Sequence, residues 1–202
     1  VKKTIFKLFR NKNKVLTFGG GHDYAYGDIA GFLDCTLKLK KRPVVINVDA
    51  HLDMRRPVHG LSSGTPFYRL LSEYKGFDLL TVGTHEHCNA KAHYAYAKDK
   101  KVKVINFPDI NKFLALCKKL KASQRPIFLS IDMDAFSSYY APGVSAAWPI
   151  GISPEAFSKF FKILLKGQVC GVGIYEVSPP LDENRKTTRL AALIAYEYLK
   201  SL

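Results

Sequence analysis

Three short runs in this chain have the residue types and spacing of a metal centre. Gly19-Gly20-Gly21-His22-Asp23 offers one imidazole. Asp49-Ala50-His51-Leu52-Asp53 sets two carboxylates around a second, and Asp132-Met133-Asp134 adds another pair of acids. Residues two apart in extended backbone point to the same side, so Asp49, His51 and Asp53 are expected to converge, as are Asp132 and Asp134. With His22 the set comprises four carboxylates and two imidazoles. Their formal charge of about −4 would repel severely in a low-dielectric cleft without cations. Two divalent ions neutralise it, and oxygen-rich ligation with some imidazole favours manganese over a thiolate-loving metal. Ions about 3.5–4 Å apart can share and acidify one water, making hydroxide at neutral pH. Each run alone also reads as a capped turn or a polar loop, and the glycines alone could cradle a phosphate. Their joint occurrence at three strand ends is what points to metal.

Such residues need a scaffold that gathers them. Short apolar, β-branched runs at Val15–Gly19, Val44–Asp49, Leu79–Gly83, Val102–Asn106, Ile127–Asp132 and Val169–Val177 predict strands buried on both faces of a parallel sheet. Between them, helical patterns fall near Tyr26–Lys38, Pro66–Glu73, Ala90–Lys98, Ile110–Lys121, Pro154–Leu165 and Thr187–Leu202. Ser153-Pro154-Glu155 reads as an N-cap, a first-turn proline and a first-turn acid. Repeated strand and helix predict an α/β fold, a three-layer α-β-α sandwich with a doubly wound, mostly parallel sheet. Ligands in such sheets gather beyond the carboxyl ends of strands. The candidate ligands lie there, and Glu176 joins them at the end of the last strand.

Residues 1–202 are long enough for one α/β domain. Val1–Arg10 reads as a helix that should follow an earlier strand, so an N-terminal strand-helix region is expected to be missing. A sheet edge left uncovered by that loss would make the chain less stable, or lead it to associate with itself as a homo-oligomer.

The net charge of +14 raises a nucleic-acid reading. The lysines cluster at Lys38–Lys41, Lys98–Lys103 and Lys118–Lys121, at the ends of predicted helices, where they complement the helix dipole. No nucleic-acid reader motif accompanies them, so a small-molecule partner is expected and no nucleic acid. A basic field also draws in acidic small substrates. Cys35, Cys88, Cys117 and Cys170 lie far apart, which suits reduced thiols in the cytoplasm. No apolar run approaches the roughly 18 residues of a spanning helix, so no membrane partner is expected.

At these motifs the chain resembles the ureohydrolase superfamily of arginases, agmatinases and formimidoylglutamases. Gly19–Asp23, Asn47–Asp53, Ser130–Asp134 with Ala141-Pro142-Gly143, and Glu176-Val177-Ser178-Pro179 are similar to its successive motifs, with Ser178 where Asn is usual. The resemblance runs from about residue 14 to the C-terminus. It implies an arginase-like fold and two Mn2+ ions per subunit, with Asp49 and Asp132 bridging. His22 and Asp53 would complete one ion, and His51 and Asp134 the other. Glu176 would accept hydrogen bonds from a cationic amidine or guanidine.

Within the superfamily the formimidoylglutamase branch is the most similar. The details are Gly21 before His22, Asp53-Met54-Arg55, Ser63-Gly64-Thr65-Pro66-Phe67, Ala141–Ala146, and Asn184-Arg185 ahead of Thr187 and Arg189–Ala192. That implies hydrolysis of N-formimidoyl-L-glutamate to L-glutamate and formamide, a step of histidine degradation. Guanidine hydrolysis releasing urea, and an inactive ureohydrolase-like binding module, are the alternatives. Arginase-like members carry a His where this chain has Ser63, so a proton shuttle is either missing or supplied by His59. Arg55 could clamp the substrate carboxylates in bidentate fashion, or serve as a surface arginine. Asn89 is the family-like residue of a loop at the pocket mouth. In that loop His85-Glu86-His87-Cys88 reads as a substrate-contacting segment or a third metal site. His93, Tyr139, Tyr140 and Trp148 read as packing residues.

Overall fold

The near-continuous apolar runs form six strands in the computed structural model, which describes residues 1–202. They are β1 (Val15–Phe18), β2 (Val44–Val48), β3 (Asp78–Thr84), β4 (Lys103–Asn106), β5 (Ile127–Asp132) and β6 (Val169–Tyr175). All neighbours pair in parallel, in the order β1-β6-β5-β2-β3-β4. The helices are α1 (Lys2–Arg10), α2 (Tyr24–Thr36), α3 (Pro66–Glu73), α4 (Lys91–Asp99), α5 (Ile110–Ser123), α6 (Pro154–Leu165) and α7 (Lys186–Lys200).

The alternation of side chains along each strand explains why both faces are apolar. Val44, Ile46 and Val48 of β2 pack with α5, α6 and α7, whereas Val45 packs with α1 to α4 on the opposite face. The result is the expected three-layer α-β-α sandwich. α6 begins as its sequence predicts, with Ser153 Oγ accepting the Ala156 N–H at 3.2 Å and Pro154 in the first turn. No helix is long and apolar enough to cross a membrane.

β1, β2 and β6 end one or two residues earlier than their apolar runs suggest. Past these ends Gly19, Asp49 and Glu176 begin loops, Gly19 and Asp49 still donating their N–H groups to the Ile174 and Val82 carbonyls of neighbouring strands. Register aligns the strand ends: Val48 pairs with Ile131, and Asp132 with Tyr175. Asp49, Asp132 and Glu176 therefore emerge at one level of the sheet.

Candidate metal centre

Four adjacent strands, β1, β6, β5 and β2, deliver the candidate ligands past their carboxyl ends. The donors form two groups. One comprises His22, Asp49, Asp53 and Asp132, the other Asp49, His51 and Asp134, and within each group the donor atoms lie within 4.8 Å of one another. All six predicted ligands are brought together.

The way they converge differs from the extended-backbone expectation. β2 has ended at Val48, and Asp49–Asp53 is a bent loop in which Asp53 takes φ 50°, a left-handed conformation that Asp adopts more readily than most residues. The bend sends His51 and Asp53 to different groups. The Asp53 carbonyl also accepts the Phe67 N–H at 3.1 Å, which ties the loop to the start of α3. After β5 the chain turns at once into a 3-10 turn, Met133–Ala135, and Asp132 Oδ1 accepts the Asp134 N–H at 2.8 Å. Asp132 thus turns Oδ2 to His22, at 3.0 Å, while Oδ1 holds backbone. Asp49 is the residue that belongs to both groups: Oδ2 lies 3.2 Å from His22 Nδ1, and Oδ1 lies 3.7 Å from His51 Nδ1.

His22 tests whether this donor set suits a cation. Its ring is fully buried, and Nδ1 lies 2.9–3.2 Å from carboxylate oxygens of Asp53, Asp132 and Asp49, yet makes no hydrogen bond. Nε2 instead lies 2.8 Å from Ser130 Oγ. A ring held by Ser130 through Nε2–H presents the Nδ1 lone pair to three carboxylates, an arrangement that a divalent cation among them satisfies. Without the cation, protons take its place. Burial works against a charged His22, but the Asp132, Asp49 and Asp53 carboxylates raise its pKa well above the ordinary value. Burial likewise opposes charge on His51, and Asp134 and Asp49 override it, pushing the pKa up to about 12. Burial, and then the Asp49 charge, lift Asp53 to about 7 and Asp134 to about 6.

A pH dependence results. The raised Asp53 and Asp134 values mean that the folded, metal-free protein binds these protons more tightly than the unfolded chain, whose aspartates titrate near ~4. Their stabilising contribution is complete below about pH 4 and is lost as pH rises through about 6–7. Cation binding must displace the same protons, so it strengthens over that window. Chelated protein should therefore melt lower at pH 8 than at pH 5.5, and added Mn2+ should raise the melting temperature more at pH 8. Scanning calorimetry at both pH values checks this; a manganese response independent of pH would contradict it.

The donors open onto a cavity of about 200 Å³ lined by His51, Asp53, Arg55, Ser63, Gly64, Asp132, Asp134, Ser145, Ala146 and Glu176. A larger, more open depression beside α6 and α7 is lined by three lysines with a single acid, Glu197, so the smaller cavity is the better candidate. Glu176, at φ 64°, accepts the His22 N–H on Oε1 at 2.6 Å and faces Ser145 Oγ with Oε2 at 3.4 Å. Arg55 reaches the cavity over Gly64, where a Cβ would lie 3.3 Å from its Cζ. Both were expected at the site. His59 and Asn89 were as well, and the structure places them elsewhere. His59 is exposed in the turn before Gly60 and lines no part of the cavity, whereas Ser63 does. Asn89 is committed to backbone: Oδ1 accepts the Leu52 N–H, and Nδ2 donates to the Ala50 and His85 carbonyls. It staples two loops together and is not in the cavity lining.

Sequence reasoning missed what supports His22 from below. Tyr175 stacks on its ring, centroids 5.0 Å apart, and donates its hydroxyl to buried Asp28 at 2.7 Å, which also accepts from Thr17 at 2.6 Å. The available signal was Asp28 itself, an acid preceding the apolar stretch Ile29–Leu33.

A model of the arginase family matches residues 1–200. Formimidoylglutamase of Streptococcus gordonii is 34% identical over 202 residues, covering 94% of this chain and 61% of the relative. The crystal structure of formimidoylglutamase from Bacillus subtilis has a TM-score of 0.88 at 31% identity, covering 98% of this chain and 64% of that one. Formiminoglutamase of Trypanosoma cruzi, solved with Mn2+, has the same fold, with a TM-score of 0.88 at 23% identity over 99% of this chain and 69% of that one. The chain spans about three fifths of the length of the curated relatives it matches.

Proposed function

Since the chain belongs to the arginase family, we propose that it is a manganese-dependent hydrolase that converts N-formimidoyl-L-glutamate and water to L-glutamate and formamide. The observation that carries this reading is that Glu176 and Arg55 line one cavity with the carboxylates of both donor groups. An acid for a cationic amidine and a guanidinium for a carboxylate are what this substrate requires. The likeness to named formimidoylglutamases supports the choice of substrate.

His22, Asp49, Asp53 and Asp132 would hold one ion, and Asp49, His51 and Asp134 the other. Two such ions supply a hydroxide nucleophile at neutral pH. Glu176 would accept N–H groups of the amidinium, its carboxylate already fixed by the His22 N–H and faced by Ser145. This orients the amidine carbon toward the donor groups and offsets the charge that remains as the carbon becomes tetrahedral. Arg55 would hold a glutamate carboxylate by paired N–H bonds. Water provides the formamide oxygen; the C–N bond to glutamate breaks with its electron pair passing to nitrogen, which takes up a proton. Ser63 lines the cavity where arginase-like members carry a His, and His51, itself a ligand candidate, is the sole imidazole in the lining. The basic surface would favour the approach of a substrate with two carboxylates and a net negative charge. The four free cysteines support a cytoplasmic setting.

A substrate panel with Mn2+, measuring formamide and urea separately, tests the reading. Formamide from N-formimidoyl-L-glutamate should dominate; urea from arginine or agmatine at the higher kcat/KM would overturn the substrate assignment. Arg55→Ala should raise KM about 10–150-fold with little change in kcat, the cost of about 1.5–3 kcal/mol for a charged hydrogen bond. An unchanged KM would remove Arg55 from the substrate site.

A further inference from the structure

The loop after β3 holds a second constellation of ligand-type side chains, chemically unlike the first. His85, His87 and Cys88 bring one donor atom each to within 4.8 Å of the others, in the 3-10 turn Glu86–Cys88 and the residue before it. We propose that these three residues form a separate cation site, selective for a borderline-soft divalent ion of the zinc type.

The buried member carries the inference. His85 is only 2% exposed, and neither ring nitrogen has a hydrogen-bond partner. A neutral imidazole has one N–H and one lone pair, and burying such a group unmatched costs about 1–3 kcal/mol. The ring is packed against Phe107, at 5.4 Å between centroids, and against His87, at 5.3 Å. Packing of this kind orients the ring without satisfying it. Burial, reinforced by the nearby His87 and His51, lowers the His85 pKa, so the imidazole is neutral and ligand-ready at neutral pH. His87 is exposed and Cys88 half-buried, which leaves the group open to an entering ion.

The loop is held in place before any ion arrives. His85 N–H donates to the Ala50 carbonyl at 2.9 Å, Asn89 clamps the Ala50 and His85 carbonyls, and Glu86 accepts from Asn106 Nδ2 at 3.0 Å. Bonds to the loop after β2 and to the end of β4 therefore fix where the donors stand. Two imidazoles and one sulfur, completed by a water, would match tetrahedral zinc, whose ligands lie about 2.0–2.3 Å from the ion. Manganese prefers the oxygen-rich set next door. Burial raises the Cys88 pKa, so the thiol is protonated until a metal displaces its proton. Binding thus releases one proton as the sulfur–metal bond forms. The same Ala50 precedes His51, so an ion here would stiffen the segment that carries a ligand of the manganese pair.

Cobalt(II) is a probe that distinguishes the two sites. A cobalt–thiolate bond gives a near-ultraviolet charge-transfer band, and none of the six donors of the first centre is a thiol. Protein loaded with Mn2+ and titrated with Co2+ should develop that band to saturation at about one equivalent per chain, and excess Zn2+ should abolish it. Cys88→Ser, which conserves volume, should eliminate the band. His87→Ala, at an exposed position, should weaken Co2+ binding at least about tenfold. Asp134→Ala should leave the band intact. No band in the unsubstituted protein, or a band undiminished in Cys88→Ser, would overturn the proposal.

Discussion

Asp49→Ala is expected to abolish binding of both manganese ions proposed above, whereas Asp134→Ala should spare one. The two carboxylate oxygens of Asp49 face different partners, Oδ2 toward His22 and Oδ1 toward His51, so its loss takes a ligand from each group. Asp134 belongs only to the His51 group, where Oδ2 lies 2.8 Å from Nδ1. Changes to residues that merely orient ligands cost about 10–100-fold in affinity, and deleting a shared ligand should exceed that range. Asp49 is fully buried, so the alanine also leaves the Asn47 amide and the His51 N–H without their acceptor. Elemental analysis after dialysis against Mn2+ should read about two ions per chain for the unsubstituted protein, near zero for Asp49→Ala and about one for Asp134→Ala. Asp132→Ala separates the candidates for a bridging role. If it removes one ion and Asp49→Ala removes two, Asp49 is the bridge, as its position suggests. Equal loss from Asp134→Ala and Asp49→Ala would contradict this division of the ligands.

The second large effect lies under the centre and involves no ligand. Gly173→Ala should destabilise the protein by about 3 kcal/mol or more, at the upper end for overpacking. A Cβ at Gly173 would lie 2.0 Å from the Tyr175 hydroxyl and 2.4 Å from Cζ, and the ring cannot retreat because it is wholly buried against His22. Moving it would also break the Tyr175–Asp28 hydrogen bond and leave a buried carboxyl short of a donor. For a chain of this size each kcal/mol lowers the melting temperature by roughly 2–4 °C, so a fall of roughly 6–12 °C is expected. Gly20→Ala is the control: its nearest neighbour would be Tyr24 Cε2 at 3.8 Å, an ordinary contact. Thermal melts should show Gly20→Ala within about 2 °C of the unsubstituted protein. Equal melting of the two variants would show that Tyr175 is not confined as described.

How much of this was legible beforehand depends on the range of the interaction. β5, α3 and α6 lie where the apolar run, the proline and the Ser153 cap put them, because those signals act within a few residues. The six candidate ligands were also readable as a set, since Asp-x-His-x-Asp and Asp-x-Asp are unusual pairings of type and spacing at strand ends. Their grouping followed from the family resemblance and not from the spacing. Alternation along a strand places His51 and Asp53 together, whereas the chain has already left the sheet at Val48 and bends, parting them.

The sequence by itself thus determined which side chains are available and on which end of the sheet they fall, because hydrophobic periodicity and strand termini are local properties. Only the tertiary structure decided what each one meets. Parallel register sets Asp49, just past β2, beside Asp132 of β5. The arrival of β6 between β1 and β5 slides Tyr175 beneath a histidine far away in the chain and presents Asp28 to its hydroxyl. The same assembly committed Asn89 to backbone and left His59 in solvent, although the family resemblance pointed to both. A side chain's hydrogen-bonding capacity is finite, and whether substrate, metal or backbone claims it depends on neighbours that sequence distance does not reveal.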